Sequence, residues 1–507
     1  MASFPPLIQA MLEPAFYPHP VEQVRLVQTH ISYVFLTGAL AYKVKKPVDF
    51  GFLNFTTLAF RDFYTHEELR LNQRLAPQVY QQVLPITRTG DSFQLGGSAE
   101  VVDYALQMRE FDQEQLLSNL FLKGAVTLEH MASLGRQIAA FHQQALINDH
   151  IRSFGALEAV RTPVDQNYEQ TARYIGRVQT EEQFTLTKAY TDRFFVEQVA
   201  LLQQRVRTDK IREGHGDLHL GNICLIDGKP VVFDCIEFNE PFRMIDVMSD
   251  AGFLVMDLIA RERPDLANRF LNTYLEWTGD WAGVQLLPLH LSYRAYVRAK
   301  VTSFLLDDPS VGEEQKEQAA QSARSYYHLA YQFTQPKTPK LYLTQGRSGS
   351  GKSTVAQTLA LYTQAIHLRS DAVRKHLAGY PLLEKLPAAF YSTEFSQQTY
   401  DQLIILAEGL LKAGFNVILD AKYDRVEQRA GAFALAERLG VPLKVLACRC
   451  SDATLKARLD ARTGDIADAD ASLIAAQKQA QEEFTSEEQD RVLFINTEQP
   501  ASWDLWV

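Results

Sequence analysis

The chain has 507 residues, of which 46% are hydrophobic and 22% charged, with a formal net charge of −10. That length exceeds one ordinary core and calls for two or three domains. Acidic residues outnumber basic ones on both sides of residue 340, which argues against holding a polyanion by bulk charge and leaves nucleic acid only a local basic groove.

The opening residues "MASFPPLIQAMLEPAFYPHP" have neither a basic start nor a continuous apolar run, so no signal peptide is expected. No stretch reaches the ~18 apolar residues needed to span a bilayer. "ISYVFLTGALAYKVKKPVDF" (31–50) reads as a β-hairpin about Thr37-Gly38, followed by the helical "YTHEELRLNQRLA" and the strands "QQVLPI" and "EVVDYALQM". Residues 112–205 are mostly helical in pattern, and short strands return over 211–235. "MIDVMSDAGFLVMDLIA" and "LSYRAYVRAKVTSFLL" suit buried helices. The segment "FTQPKTPK" (333–340), with two prolines and two lysines, is the best linker. Beyond it, strands at 341–344, 365–368, 416–419, 443–448 and 492–496 alternate with helices, which implies a parallel sheet wrapped by helices. The four cysteines, Cys224, Cys235, Cys448 and Cys450, form no disulfide framework and suit a reducing cytosol; Cys448 and Cys450 read as buried strand thiols.

Residues 215–222 read "HGDLHLGN", followed by "ICLIDGKPVVFD". Asp227-Gly228 marks a hairpin, which sets Asn222 beside Asp234 at its open end, with Asp217 just before. An amide oxygen and a carboxylate suit Mg²⁺ that also binds ATP phosphates, and Asp217 can take the proton of an attacking hydroxyl. The pattern resembles the core of aminoglycoside phosphotransferases and the wider kinase-like fold. That resemblance implies Asp217 as catalytic base, Asn222 and Asp234 as metal ligands, and His215 and His219 as loop supports. Upstream, "ALAYKVK" resembles the strand whose lysine holds the α/β-phosphates. Lys43 and Lys45 share one strand face; the A-x-K spacing favours Lys43, and Glu68 is preferred to Glu67 as its helix partner. Two departures stand out. The glycine-rich G-x-G-x-x-G loop is missing, which argues against protein substrates, and Cys235-Ile236 replace the Phe-Gly of protein kinases.

Residues 346–353, "GRSGSGKS", satisfy G-x-x-x-x-G-K-[ST] between a strand and a helix. Gly346, Arg347, Ser348, Gly349, Ser350, Gly351, Lys352, Ser353 and Thr354 are thus the expected phosphate cradle, its backbone N–H groups turned inward at a helix N-terminus. Lys352 would reach the β/γ-phosphates and Ser353 would bind Mg²⁺. Asp371 and Asp420 follow later strands, at the edge where parallel sheets bind ligands. Arg374 lies one turn beyond Asp371, and Arg458 and Arg462, four apart, would share a helix face over the γ-phosphate. This half resembles P-loop small-molecule and polynucleotide kinases, zeta-toxin-like ones included. The resemblance implies that Asp371 activates the acceptor, Arg374 positions it, and Asp420 fills the Walker B place as a metal ligand. The plainer roles are an N-cap for Asp371 and a solvated face for the two arginines.

From "AYKVKKPVDFGFLNF" to "LDART" the chain resembles a bacterial family that fuses an aminoglycoside phosphotransferase-like domain to a P-loop predicted kinase of AAA type. The fold expected is an α+β kinase-like bilobal domain at 1–335 (small lobe about 20–110, large lobe about 111–335), then an α/β P-loop domain at 340–507 with a parallel sheet. The expected activity is bifunctional transfer of the ATP γ-phosphoryl group to small-molecule hydroxyls, with ATP and Mg²⁺ at two sites, in the cytoplasm and without membrane attachment. Two alternatives are a polynucleotide 5′-hydroxyl kinase in the P-loop half, and an ATP-sensing module attached to one active kinase.

Overall fold

In the computed structural model, which describes residues 4–470, 472 and 474–499, the amino-terminal sheet has six antiparallel strands in the order β1-β2-β3-β6-β4-β5. They are β1 (Arg25–Gln28), β2 (Ser32–Leu36), β3 (Leu40–Lys45), β4 (Tyr80–Thr89), β5 (Ser92–Leu95) and β6 (Glu100–Arg109). Gly38 turns the β2–β3 hairpin at φ 96°, a conformation that side chains with a Cβ resist. The helix Leu58–Asn72 starts on Thr57, whose side chain accepts the Phe60 N–H. Its inward stripe is Arg61, Thr65, Glu68, Leu71 and Asn72, spaced as one helix face yet mostly polar.

Two short ribbons follow. β7 (Ile211–Glu213) pairs antiparallel with β10 (Met244–Asp246), and β8 (Ile223–Ile226) with β9 (Lys229–Val232). Asp227 and Gly228 both take positive φ, 51° and 72°, as a two-residue hairpin turn of the primed type requires. The stretch expected as one helix from 244 onward is divided: Met244–Asp246 joins the β7 ribbon, and the helix runs Val247–Ala260.

The carboxy-terminal sheet is wholly parallel, in the order β12-β13-β11-β14-β15. Its strands are β11 (Leu341–Gln345), β12 (Ile366–Arg369), β13 (Val417–Asp420), β14 (Leu443–Arg449) and β15 (Val492–Asn496). Every residue of β11, β12 and β13 is buried, as strands covered by helices on both faces must be. Tyr342, Ile418 and Leu446 pack with Val355, Ala356 and Leu359 of the helix Lys352–Thr363 in one core. Cys448 is buried on β14, while Cys450 falls past the strand's end and is only partly covered.

By internal packing the described residues divide into two units: those through His130 with Gln144–Thr162 and Gln198–Leu254, and Met131–Gln143 with Pro163–Glu197 and the described residues from Val255 onward. The second unit therefore holds the parallel sheet together with the helices Pro264–Thr278, Leu287–Phe304 and Glu313–Phe333. Among the described residues no helix is long and apolar enough to cross a membrane.

Candidate active site

At the open end of the β8–β9 hairpin, Asn222 Nδ2 donates to both the carbonyl and the Oδ2 of Asp217, each at 3.0 Å. His219 Nε2 lies 3.3 Å from the same Oδ2. This leaves Asn222 Oδ1 turned away from the bond that orients its amide. Lys43 Nζ donates to Glu68 Oε1 at 2.7 Å and to Asp234 Oδ1 at 2.9 Å. Glu67 stays outside this group and pairs instead with Arg70 and Arg243. The structure thus gathers Lys43, Glu68 and Asp234 in one cluster, and Asp217, His219 and Asn222 in another.

Three supports escaped the sequence reading. Asp250, fully buried, accepts the backbone N–H groups of His215 at 2.7 Å and Gly216 at 2.9 Å. It can do so because the β7–β10 ribbon brings the start of the Val247–Ala260 helix beside the loop that leaves β7. Asp234 holds φ 62°, a left-handed conformation uncommon outside glycine, and its N–H donates to the Tyr80 hydroxyl at 3.1 Å. Lys45, next on the face of Lys43, donates to Glu68 Oε2 at 2.7 Å and also to Glu237. No local motif marks Asp250, Tyr80 or Glu237, whereas strand periodicity sets Lys45 beside Lys43. His215 serves the loop as expected: its Nε2–H donates to the Phe233 carbonyl while Nδ1 accepts the Asp217 N–H. Burial lowers its pKa and keeps it neutral.

Burial alone would raise the Glu68 carboxyl, but Lys43 and Lys45 bring it from 4.5 down to about 2. Burial would likewise lower Lys43, yet Asp234 and Glu68 hold it well above its ordinary value. Glu68→Gln should destabilise the fold by about 3–5 kcal/mol, because two buried lysines lose a shared counter-charge. The folded pKa of Glu68 lies below the unfolded one, so its contribution is complete above pH 4.5 and fades as pH falls towards 2. Urea unfolding of wild type and Glu68→Gln across that range should show the gap between them closing in acid.

The loop after β11 has the backbone of a phosphate cradle. Gly346, Gly349 and Gly351 take φ 150°, 81° and 84°. A Cβ on Gly346 would lie 2.6 Å from Ser350 Oγ and 2.7 Å from the Cys448 carbonyl, so only glycine closes this turn. Lys352 begins its helix and donates to the Arg347 carbonyl at 2.9 Å. Burial lowers its pKa, against the pull of Asp420. Ser350 Oγ and one Arg347 guanidinium nitrogen are buried without a hydrogen-bond partner, as donors reserved for a phosphate would be. The Ser348 N–H donates to Gln477 of the helix Ile474–Ala480 at 2.8 Å. That contact spans 129 residues and has no sequence signal.

Asp420 ends β13 and is buried. Its Oδ1 accepts from Thr344 Oγ1 and its Oδ2 from His367 Nε2, each at 3.0 Å. Burial would raise this carboxyl, but the His367 bond and charge outweigh it and hold it ionised, well below the usual range. Both Asp420 oxygens are thus engaged within the protein. Asp371 is the second residue of the helix Ser370–Ala378, whose N-cap is Arg369; it therefore does not cap that helix. Burial raises its pKa, Arg369 opposing. Arg374 donates to the Phe390 carbonyl at 2.7 Å and lies over the Tyr391 ring. Arg458 donates to Thr497 and lies 3.4 Å from the Gly349 carbonyl, against the cradle itself. The helix bearing it ends at Asp460, so Arg462 falls past it, 4.0 Å from Asp465. The two arginines do not share one helix face.

The phosphotransferase enzyme family matches residues 59–287 and the AAA domain family residues 341–484. Over 465 residues the chain is 31% identical to the uncharacterized protein Rv2004c of Mycobacterium tuberculosis (strain ATCC 25618 / H37Rv), covering 90% of this chain and 91% of that one. The chain belongs to the family that joins a phosphotransferase domain to a P-loop kinase domain. The chain is an ATP-dependent kinase, with a kinase-like domain followed by an α/β P-loop domain. Among solved structures it is similar to a putative aminoglycoside phosphotransferase from Ralstonia eutropha JMP134, at 14% identity over 65% of this chain and 96% of that one, with a TM-score of 0.38. It is also similar to a sugar kinase from Janibacter sp. HTCC2649, at 22% identity over 32% of this chain and 87% of that one, with a TM-score of 0.26.

Proposed function

We propose that the chain carries two separate phosphoryl-transfer centres, one in residues 1–335 and one in 340–507, each passing the ATP γ-phosphoryl group to a hydroxyl of a small molecule. What supports this reading is that each half has a carboxylate close to its proposed phosphate-binding residues: Asp217, bonded by the Asn222 amide, and Asp371, in the field of Arg369, Asp420 and Lys352. At each centre the acceptor oxygen bonds to the γ-phosphorus, the bond from that phosphorus to the bridging oxygen of ADP breaks, and the hydroxyl proton passes to the carboxylate.

In the amino-terminal centre Asn222 and His219 orient Asp217, Lys43 is aimed by Glu68 at the phosphates, and Asp250 keeps the loop fixed. Asn222 and Asp234 offer the oxygens that Mg²⁺ prefers; when bound, the ion neutralises charge on the phosphates. In the carboxy-terminal centre the cradle and Lys352 hold the phosphates, with Ser353 and Asp420 on the metal side. The acidic surplus of the carboxy-terminal half favours a small acceptor over a nucleic-acid end. A cytosolic setting agrees with four free thiols.

The test is profiling of the full-length protein with γ-labelled ATP against a pool of small metabolites and a 5′-hydroxyl oligonucleotide. It is run on wild type, Asp217→Ala and Lys352→Ala. Each variant should lose one set of labelled products and keep the other. Loss of both sets in either variant would contradict two independent centres, and a labelled oligonucleotide would move the P-loop half to polynucleotides.

A further inference from the structure

Arg369 closes β12, immediately before Ser370 and Asp371, and stands opposite Asp420 in the sheet register. Its side chain is 10% exposed and is held by two carboxylates. One is Asp465, which accepts from Nη2 at 2.6 Å. The other is Glu276, which accepts from Nη1 at 3.2 Å and belongs to the helix Pro264–Thr278, inside the phosphotransferase match and outside the P-loop match. Arg369 Nε is buried and has no partner. Asp420 and Asp371, the two acids assigned to the P-loop centre, also act on this guanidinium.

Glu276 does not reach across alone. Asn268 and Asn272 of the same helix both donate to the Ala365 carbonyl at 3.0 Å, and Asn272 Oδ1 accepts the His367 N–H at 2.8 Å. His376, in the helix that bears Asp371, lies with Nε2 2.7 Å from the Glu276 carbonyl. Gly279 ends the Pro264–Thr278 helix at φ 67°, and a Cβ there would lie 2.8 Å from the His376 ring. The strand before Asp371 and the helix after it are therefore both seated on one helix of the preceding domain. Such contacts fix the place of a carboxylate that must line up with an incoming hydroxyl to within fractions of an ångström.

We propose that Glu276 is a positioning residue for the P-loop centre: through its ion pair with Arg369 it fixes the guanidinium carried two residues before Asp371, so that this centre is completed by a side chain from the phosphotransferase domain. This rests on the reading of the P-loop half as a phosphoryl-transfer centre.

The experiment uses the full-length chain with the amino-terminal centre silenced by Asp217→Ala and takes Mg-ATP as the probe, with water as acceptor and ADP release as the readout. Glu276→Gln keeps the size of the side chain and a neutral acceptor for the guanidinium, so a purely packing role would survive it. If the proposal holds, Glu276→Gln lowers kcat by about tenfold while KM for ATP stays unchanged, and Glu276→Asp restores part of the loss. Arg369→Gln should lose at least as much, and adding Glu276→Gln to it should cost nothing further, since the pair acts as one unit. Retained two-site ATP binding by calorimetry shows that each variant is folded. An unchanged kcat in Glu276→Gln, or additive losses in the double variant, would overturn the positioning role and leave the P-loop reading intact. Absence of ADP release in the Asp217→Ala background, both with water alone and with the pool of small metabolites added as acceptors, would overturn that reading, and the proposal with it.

Discussion

Asp371→Asn, placed in an Asp217→Ala background, is expected to lower transfer by the P-loop centre by about 10²-fold or more, the scale of losing a general base. ATP affinity should stay nearly unchanged. The substitution keeps size and hydrogen bonding and removes only the charge. Because Asp371 sits inside the first turn of its helix and does not cap it, no helix-capping loss should accompany the effect. Calorimetry of ATP binding beside product formation from labelled ATP separates the two quantities. Arg374→Ala should behave differently. Its guanidinium ties the Phe390 carbonyl to the Asp371 helix, so the acceptor KM should rise along with the fall in kcat. Unchanged transfer in Asp371→Asn would remove Asp371 from the chemistry.

The second large effect is expected at Asp234. Asp234→Asn removes the charge that Lys43 faces at 2.9 Å and one of the two oxygen ligands proposed for Mg²⁺. Transfer by the amino-terminal centre should fall by about 10²-fold or more, the scale of removing one preorganised charge from a transition state. Raising magnesium should recover only part of the loss. The assay is a magnesium titration of product formation in a Lys352→Ala background. Full activity of Asp234→Asn across the titration would take Asp234 out of the metal site.

What could be read from residue order alone follows a physical divide. The glycine-rich cradle, the β8–β9 hairpin and the five parallel strands were legible because each is a local pattern: left-handed turns that demand glycine, an Asp-Gly corner, short apolar runs between helices. The strands β1 and β5 were not. Arg25–Gln28 and Ser92–Leu95 lie at the two edges of their sheet and neither contains a buried residue; each is only four residues long, too short a run for its pattern to stand out as a strand. The Leu58–Asn72 helix hides its inward face for the opposite reason: Arg61 and Glu68 are buried because Asp103 and two lysines neutralise them.

The supports of the centres were illegible because they are partnerships between distant residues. Asp250 acts 34 and 35 residues from its backbone partners, Glu237 acts 192 from Lys45, and Glu276 acts 93 from Arg369. The helix-face argument for Arg458 and Arg462 failed on a boundary. Periodicity continues through "LKARLDART", but the backbone leaves the helix after Asp460, and helix ends are where sequence patterns say least.

The exposed residues Pro336, Lys337 and Thr338 invite cleavage by a protease, as accessible connectors do. A cut there would not separate the pieces. Asn268, Asn272, Glu276 and His376 would still clasp strand to helix, so a nicked molecule should run as two bands under denaturing conditions and as one particle under native ones. The peptide connection then works as a tether: it sets the effective concentration at which the halves meet, while the seating of one half on the other lies in the side chains. Two halves made as separate chains should find each other in the same register, weakened by dilution alone.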